Sequence, residues 1–175
     1  MQPDPSLFGM QRRLLRWLVG CMDWSCDRVS YVTTGRPIYA ENSVHVWRMR
    51  GPYPAQQNTR PDLVARESVD LAVTCVTCTG TTPQLLPDGT ILMPSPQEWE
   101  AAAAAHEGDI AALYALLKRH TGWLKGTIGG HQEADPDAET AGGCYGTTIR
   151  ITVPWTAGAK CEDCPPPEPD DGSVC

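Results

Sequence analysis

SPQEWEAAAAAHEGDIAALYALLKRHTG, residues 95–122, has the pattern of one long helix with a defined start and a defined end. Ser95 at the N-cap, Pro96 at the first helical position and Glu98 three residues after Ser95 form a capping box, which pairs N–H groups that the first turn leaves unbonded. Basic residues in the last turn suit the negative end of the helix dipole, and Gly122 follows as the stop. An apolar stripe recurs at helical spacing: Trp99, Ala102, Ala103, His106, Ile110, Leu113 and Leu117.

Segments on both sides of this helix alternate between two kinds of residue, as β-strands do. The clearest is residues 67–79, and residues 146–153 alternate in the same way. One face of the first carries Val69, Leu71, Val73, Cys75 and Thr77, and the other carries Asp70, Ala72, Thr74, Val76 and Cys78. The sequence therefore predicts an α/β (α+β) fold: a mostly antiparallel sheet with the long helix packed on one face, an N-terminal helix and an extended C-terminal tail.

The N-terminal helix is predicted to open with Asp4 as the cap and Pro5 at the first helical position, and Gly20 stops it. Its amphipathic stretch covers residues 7–19. Its apolar residues share one side, and its three arginines lie on the other. Shorter strands are predicted at 28–32, 38–40, 43–49 and 123–129, loops at 51–61 and 130–143, and a hairpin within 84–93, where Pro-Asp-Gly separates two apolar runs. Gly108-Asp109 is the weak point of the long helix, where a kink or restart is possible.

Two regions are expected along the chain of 175 residues. Residues 1–156 are predicted to be a single α/β domain, a length that can enclose a sizeable core. Residues 157–175 are rich in proline and acid and almost free of apolar side chains, so this extension is not expected to fold by itself.

The bulk composition excludes some classes of protein. No run approaches 18 apolar residues, so no membrane span is expected, and residues 1–7 lack the pattern of a secretory signal. The net charge is −7. Residues 1–66 carry nine Lys and Arg against five Asp and Glu, whereas residues 67–175 carry five against sixteen. A chain this acidic is a poor general nucleic-acid binder, although the split suits head-to-tail self-association as well as two solvated faces.

Eight cysteines make a metal site one hypothesis. Two CxxC units, Cys75 with Cys78 and Cys161 with Cys164, are candidate ligands of a zinc ion. The gap between the units is longer than in zinc ribbons, and residues i and i+3 of a strand point to opposite faces. Buried thiols or disulfides are the alternative, including disulfides from the tail cysteines to Cys21, Cys26 or Cys144.

An enzyme is not expected from these residues. The sequence has no Gly-rich phosphate loop, no nucleophile elbow and no His-Glu-x-x-His pattern. The four histidines lie in unrelated contexts, and His106, on the apolar side of the long helix, is read as a core or interface histidine. Apart from the zinc hypothesis, no cofactor is expected.

The order of elements resembles that of tail terminator proteins of long-tailed bacteriophages, also called tail completion or head–tail joining proteins. The likeness covers about residues 5–156. It is carried by the amphipathic helix 7–19, the strand ESVDLAVTC at 67–75, the helix 98–120, and DAETAGG at 137–143 leading into TTIRITVP at 147–154. The cysteines and the segment after Trp155 depart from that pattern.

The resemblance implies a structural virion protein that assembles as a six-fold homo-oligomeric ring at the neck. Such a ring terminates the tail tube, joins it to the head connector and lets DNA pass through its lumen without specific binding, where acidic walls would prevent adhesion. It also implies tail tube and connector proteins as partners, and assembly in the host cytoplasm without a membrane.

The C-terminal extension is expected to lie across a neighbouring subunit or a partner protein. Its acidic residues outnumber its single lysine, Lys160, so we expect its contacts to be with basic side chains. The candidates for contacts between subunits are Arg12, Arg13 and Arg16 on the first helix and Glu162, Asp163, Asp170 and Asp171 in the extension.

Overall fold

The computed structural model describes residues 7–35, 41–54, 67–120, 127–133 and 143–155. In these ranges two helices and seven strands follow one another. The helices are α1 (Leu7–Cys21) and α2 (Pro96–His120). The strands are β1 (Val29–Thr33), β2 (Ser43–Pro54), β3 (Glu67–Cys78), β4 (Gln84–Leu85), β5 (Ile91–Leu92), β6 (Thr127–Glu133) and β7 (Cys144–Trp155).

Five of the strands form the main sheet, in the order β1-β2-β3-β7-β6. β1 runs parallel to β2, and every other neighbouring pair is antiparallel. The long strand predicted from alternation, β3, lies at the centre, where Val73 pairs with Val46 on one side and Ile149 on the other. The predicted α+β class with a mostly antiparallel sheet is confirmed.

One face of the sheet carries the hydrophobic core, because side chains alternate between faces along each strand. The sheet contributes Val44, Val46, Val69, Leu71, Val73, Cys75, Ile149, Ile151 and Val153 to the core cluster. Both helices cover this face, α1 against β1 and β2 and α2 against β3 and β7. The helices contribute Leu14, Leu15, Trp17, Leu18, Ile110, Leu113, Leu116 and Leu117.

The other face of the central strands is polar but largely buried. Thr74 Oγ1 accepts a hydrogen bond from Trp47 Nε1 at 2.9 Å and lies 2.8 Å from Thr148 Oγ1. Farther along, Thr152 Oγ1 donates to Asp70 Oδ1 at 2.7 Å. Cross-strand hydrogen bonds of this kind satisfy polar side chains that are shielded from water.

The predicted start of α2 is confirmed by its cap. Glu98 N donates to Ser95 Oγ at 3.2 Å, and Ser95 N donates to Glu98 Oε2 at 2.8 Å, which are the two bonds of a capping box. Thr81 Oγ1 also donates to Glu98 Oε1, so the cap joins α2 to the segment after β3. The helix passes through Gly108 and Asp109 without a break.

Ser95→Ala is expected to lower the free energy of unfolding by about 1 kcal/mol, because the Glu98 N–H loses its acceptor. Chemical denaturation of the two proteins measures the difference. Ser95→Asp, which keeps an acceptor at the N-cap, should retain most of the stability. Equal stability of wild type and Ser95→Ala would show that this cap contributes nothing.

Several boundaries differ from the sequence-based expectations. β2 continues to Pro54, where a loop was expected, because its pairing with β3 resumes after register shifts near Arg50. α1 continues through Gly20 to Cys21, and β6 spans 127–133, later than the expected strand. On α2, Trp99 and Ala103 are only half-buried. The expected strand at 38–40, most of the acidic loop and the extension lie outside the described residues.

Candidate functional site

A buried ion pair joins the segment before β1 to the middle of α2. The Arg28 and Asp109 side chains are 1% and 5% exposed and in contact through Arg28 Nη2 and Asp109 Oδ2. Ser25 donates to the same carboxylate from its N–H at 3.0 Å and from Oγ at 2.8 Å. Arg28 also donates to the Val76 carbonyl and, at 2.8 Å, to Thr77 Oγ1. These bonds compensate for taking both charges out of water.

The network continues to His106. Its Nδ1 lies 3.0 Å from Thr77 Oγ1 and its Nε2 lies 2.8 Å from Thr147 Oγ1. Arginine can only donate, so Thr77 Oγ1 accepts from Arg28 and has its own hydrogen available for His106 Nδ1. Burial lowers the pKa of His106. The ring is therefore held neutral between two hydroxyls, as expected for a histidine on the inner side of the helix.

The same region contains a cysteine that is poorly suited to nucleophilic chemistry. Cys75 is a free, buried thiol, and burial raises its pKa to about 12. A thiol with this pKa is protonated at neutral pH and does not act as a nucleophile. The charged pair and His106 are buried and hydrogen-bonded within the fold, and the neighbouring thiol is unreactive. We therefore interpret the Arg28–Asp109–His106 network as a structural connection between the 22–28 segment, α2 and the sheet.

The remaining described cysteines are mostly oxidised. Cys78 and Cys144 face each other across β3 and β7 and form a disulfide, and Cys21 is also disulfide-bonded. Cys26 is free and half-buried. Disulfides in place of thiols are one of the alternatives that the sequence left open.

The zinc hypothesis gains no support from this arrangement. Cys75 belongs to the core beneath the helices, whereas Cys78 uses its sulfur in the disulfide, so the two do not form a ligand pair. Cys161 and Cys164 lie outside the described residues. Within the described ranges no group of three or more His, Cys, Asp or Glu side chains could hold a metal ion.

A groove of about 500 Å³ lies between α1 and the edge strand β1. Leu15 and Val32 are apolar residues of its lining that are at least half-buried. Phe8 and Val19 are 46% and 42% exposed. The full lining is Phe8, Arg12, Leu15, Arg16, Val19, Gly20, Ser30, Tyr31 and Val32. This groove combines an apolar surface with positive charge.

The three arginines of α1 are not equivalent. Arg12 and Arg16 are exposed and line the groove, where Arg12 lies over the Phe8 ring at 5.9 Å. Arg13 is half-buried and already has a partner. The acidic candidates Glu162, Asp163, Asp170 and Asp171 lie outside the described residues, so the structure places only the basic side of the expected contact.

A second apolar surface lies on the hairpin formed by β4 and β5, residues 84–93. The hairpin is a separate two-stranded sheet, closed by a turn in which Gly89 has a φ of 82°, a conformation that favours glycine. Its large apolar side chains are exposed: Leu85, Leu86, Ile91, Leu92 and Met93. The sequence predicted the hairpin from Pro-Asp-Gly but not this exposure.

Sequence reasoning also missed the Arg28–Asp109 pair. Asp109 follows His106 by three residues and precedes Leu113 by four, so it falls on the buried side of α2. A carboxylate at such a position needs a cationic partner, and that signal was available in the spacing. The identity of the partner was not available, because Arg28 lies 81 residues away.

A second buried histidine, His45 in β2, makes the stability of the fold depend on pH. Ser43 Oγ donates to the Glu41 carbonyl at 2.9 Å, so it accepts from His45 Nε2 at 2.8 Å, and His45 Nδ1 has no hydrogen-bond partner. Tyr31 presses edge-on against the ring, with centroids 3.9 Å apart. Burial lowers the pKa of His45 to about 4, so protonation is disfavoured in the folded state.

Acidification from pH 6.5 to about pH 4 is therefore expected to destabilise the protein. The unfolded chain takes up a proton on His45 in this window and the folded chain does not, which removes up to about 3 kcal/mol. Denaturant unfolding at a series of pH values measures the slope. The His45→Gln variant should lose less stability per pH unit than wild type. His106, whose pKa is also lowered, is present in both proteins and therefore does not account for the difference. Identical slopes would contradict the assignment.

Comparison of the chain with protein-family models, with curated proteins and with solved structures finds no match. Neither α1 nor α2, as far as the described residues extend, combines the length and the apolar character of a membrane-crossing helix.

Proposed function

We propose that this chain is a structural virion protein that forms a ring at the neck of a long-tailed bacteriophage. The ring terminates the tail tube and joins it to the head connector, with DNA passing through the lumen. The observation that carries the proposal is the presence of two exposed apolar surfaces on one chain, the hairpin 84–93 and the groove between α1 and β1. The element order that resembles tail terminators supplies the class of assembly.

Two different surfaces are what a subunit needs for head-to-tail assembly. Large contiguous apolar patches on a folded chain mark interaction sites. A contact between different surfaces of identical subunits repeats from copy to copy, and it closes into a ring when the rotation between copies permits. The two surfaces thus favour an assembly over an isolated monomer.

The charge distribution is compatible with DNA passage. Residues 67–175 carry an excess of eleven negative charges, sixteen Asp and Glu against five Lys and Arg. If part of this excess lines the lumen, it repels the phosphate backbone and prevents DNA from adhering. This part of the proposal concerns the passage of DNA and not its recognition.

The buried network supports a structural role over an enzymatic one. Arg28, Asp109 and His106 have the chemistry that active sites use, but each is buried and each is hydrogen-bonded to other side chains of the fold. Such groups tie elements together and have no access to a substrate. The proposal therefore assigns no catalytic residue.

The test is the mass and shape of the purified protein. Native mass spectrometry and negative-stain electron microscopy should show a closed ring, six-fold by the resemblance, either alone or after addition of tail tube protein. A strict monomer that binds neither tail tube protein nor connector protein would overturn the proposal.

The extension after Trp155 is proposed to strengthen this assembly by contacting a neighbouring subunit. Truncation after Trp155 should leave the melting curve of the monomer nearly unchanged but weaken assembly. The contribution of the extension should shrink as salt rises, since exposed ion pairs are screened beyond roughly 8–10 Å. Full assembly of the truncated chain at low salt would contradict this contact.

A further inference from the structure

We propose that the hairpin 84–93 of one copy seats its apolar face in the α1–β1 groove of the next copy. This inference rests on the proposed ring and names the contact that builds it. Four features of the described residues carry it: the face of the hairpin, the lining of the groove, the charges beside each and the free edges of the strands.

The hairpin presents one continuous apolar face. Leu85 and Ile91 are directly opposite each other in the β4–β5 register, so their side chains lie on the same face. Met93, the residue directly after β5, is exposed as well. These are the three most exposed of the hairpin's large apolar residues, at 75%, 64% and 56%. Such exposure is costly unless another molecule covers the face.

The groove provides a concave apolar counterpart. Its volume of about 500 Å³ lies within the range of about 300–1,000 Å³ that is typical of ligand-binding clefts. Leu15 and Val32 offer an apolar lining, and Phe8 and Val19 add exposed apolar area beside them. An apolar occupant would therefore gain contact on more than one side.

Charge complements shape at this contact. Arg12 and Arg16 line the groove, and no carboxylate of the described residues lies within salt-bridge distance of either. The exposed turn of the hairpin carries Asp88, whose Oδ1 accepts hydrogen bonds from Thr90 N at 2.9 Å and Thr90 Oγ1 at 2.6 Å. Those bonds leave the other carboxylate oxygen available to an arginine of the neighbouring copy.

The backbone can take part as well. β1 is the outermost strand of the main sheet, and the two-stranded hairpin has free edges of its own, as far as the described residues show. Unpaired N–H and C=O groups on such edges are templates for strand addition by another chain. A hairpin lying along β1 would pair these groups while its apolar face enters the groove.

Topology makes the contact one between different copies. The hairpin follows β3, whereas the groove is at β1, on the far side of β2. Each copy therefore has one hairpin to offer and one groove to fill, and the contact is heterologous. The C-terminal extension offers negative charge but almost no apolar side chains, so it is a poorer occupant of the apolar lining.

Complementation between two variants tests the contact. Ile91→Asp damages the hairpin and leaves the groove intact, whereas Phe8→Asp damages the groove and leaves the hairpin intact. Each variant alone should be monomeric, with self-association weakened about tenfold or more. A mixture of the two should form one-to-one dimers and no larger species, as measured by native mass spectrometry. Ala112→Asp, which adds the same charge at an exposed site on α2, should assemble like wild type.

Melting curves establish that each variant is folded. If Ile91→Asp or Phe8→Asp fails to fold, Leu85→Asp and Val19→Asp provide a second pair of hairpin and groove variants. Normal assembly of Ile91→Asp would overturn the contact while leaving the ring intact. If Phe8→Asp assembles normally and Ile91→Asp does not assemble, the hairpin packs against another hairpin. That result also overturns the hairpin–groove contact. Loss of assembly on truncation after Trp155 with normal assembly of Ile91→Asp would make the extension the occupant. A wild type that stays monomeric both alone and with tail tube and connector proteins would overturn both the contact and the ring.

Discussion

Asp109→Ala is expected to lower the free energy of unfolding by about 3–5 kcal/mol. The carboxylate is the ion-pair partner of buried Arg28 and accepts two hydrogen bonds from Ser25. Its removal leaves the arginine charge buried without compensation and frees the 22–28 segment from α2. Urea denaturation with a constant m-value measures the loss.

The matched control is Glu107→Ala, which removes a carboxylate from an exposed position of the same helix and should change stability by about 0.5 kcal/mol or less. The double variant Arg28→Met with Asp109→Leu should recover much of the loss, because both charges leave the interior together. Equal effects of Asp109→Ala and Glu107→Ala would show that water reaches the pair and that the network does not hold the fold.

Leu113→Ala is expected to destabilise the protein by about 2–5 kcal/mol, the range for a cavity left by a buried leucine. Leu113 is fully buried at the centre of the α2 face, within the cluster that includes Ile110 and Leu117. The backbone there belongs to a long helix against a sheet, so the surroundings have little freedom to close the cavity. Thermal and denaturant unfolding provide two independent measurements.

Leu85→Ala makes the same chemical change on the exposed face of the hairpin, where the side chain is 75% exposed. Stability of the monomer should then change by less than about 0.5 kcal/mol. The two substitutions thus distinguish a leucine that stabilises the fold from a leucine that is exposed for contact with another copy. Similar melting shifts for both would show that the helix face or the hairpin exposure is assigned wrongly.

These predictions connect the fold to the proposed assembly. Asp109 and Leu113 keep α2 and the segment before β1 in position, and that segment leads into the strand that borders the groove. Variants that loosen this core should therefore weaken self-association indirectly, together with a fall in melting temperature. Hairpin and groove variants should weaken self-association while the melting temperature of the monomer stays the same.

Local sequence determined most of the elements of this protein. The capping box at Ser95, the alternation along β3 and the Pro-Asp-Gly of the hairpin each specify structure through neighbours only a few residues apart. The side of α1 that carries Leu14 and Leu18 and the α+β class follow from the same short-range periodicities. Such features are readable from the chain because the interacting groups are close in sequence.

The tertiary structure alone decided how those elements combine. The Arg28–Asp109 pair spans 81 residues and the Cys78–Cys144 disulfide spans 66, and several partners would have satisfied the same local pattern. The parallel placement of β1 at the sheet edge created the groove, and the detachment of the hairpin from the main sheet exposed Leu85 and Ile91. Burial and pairing are properties of distant segments brought together, so no window of the sequence contains them.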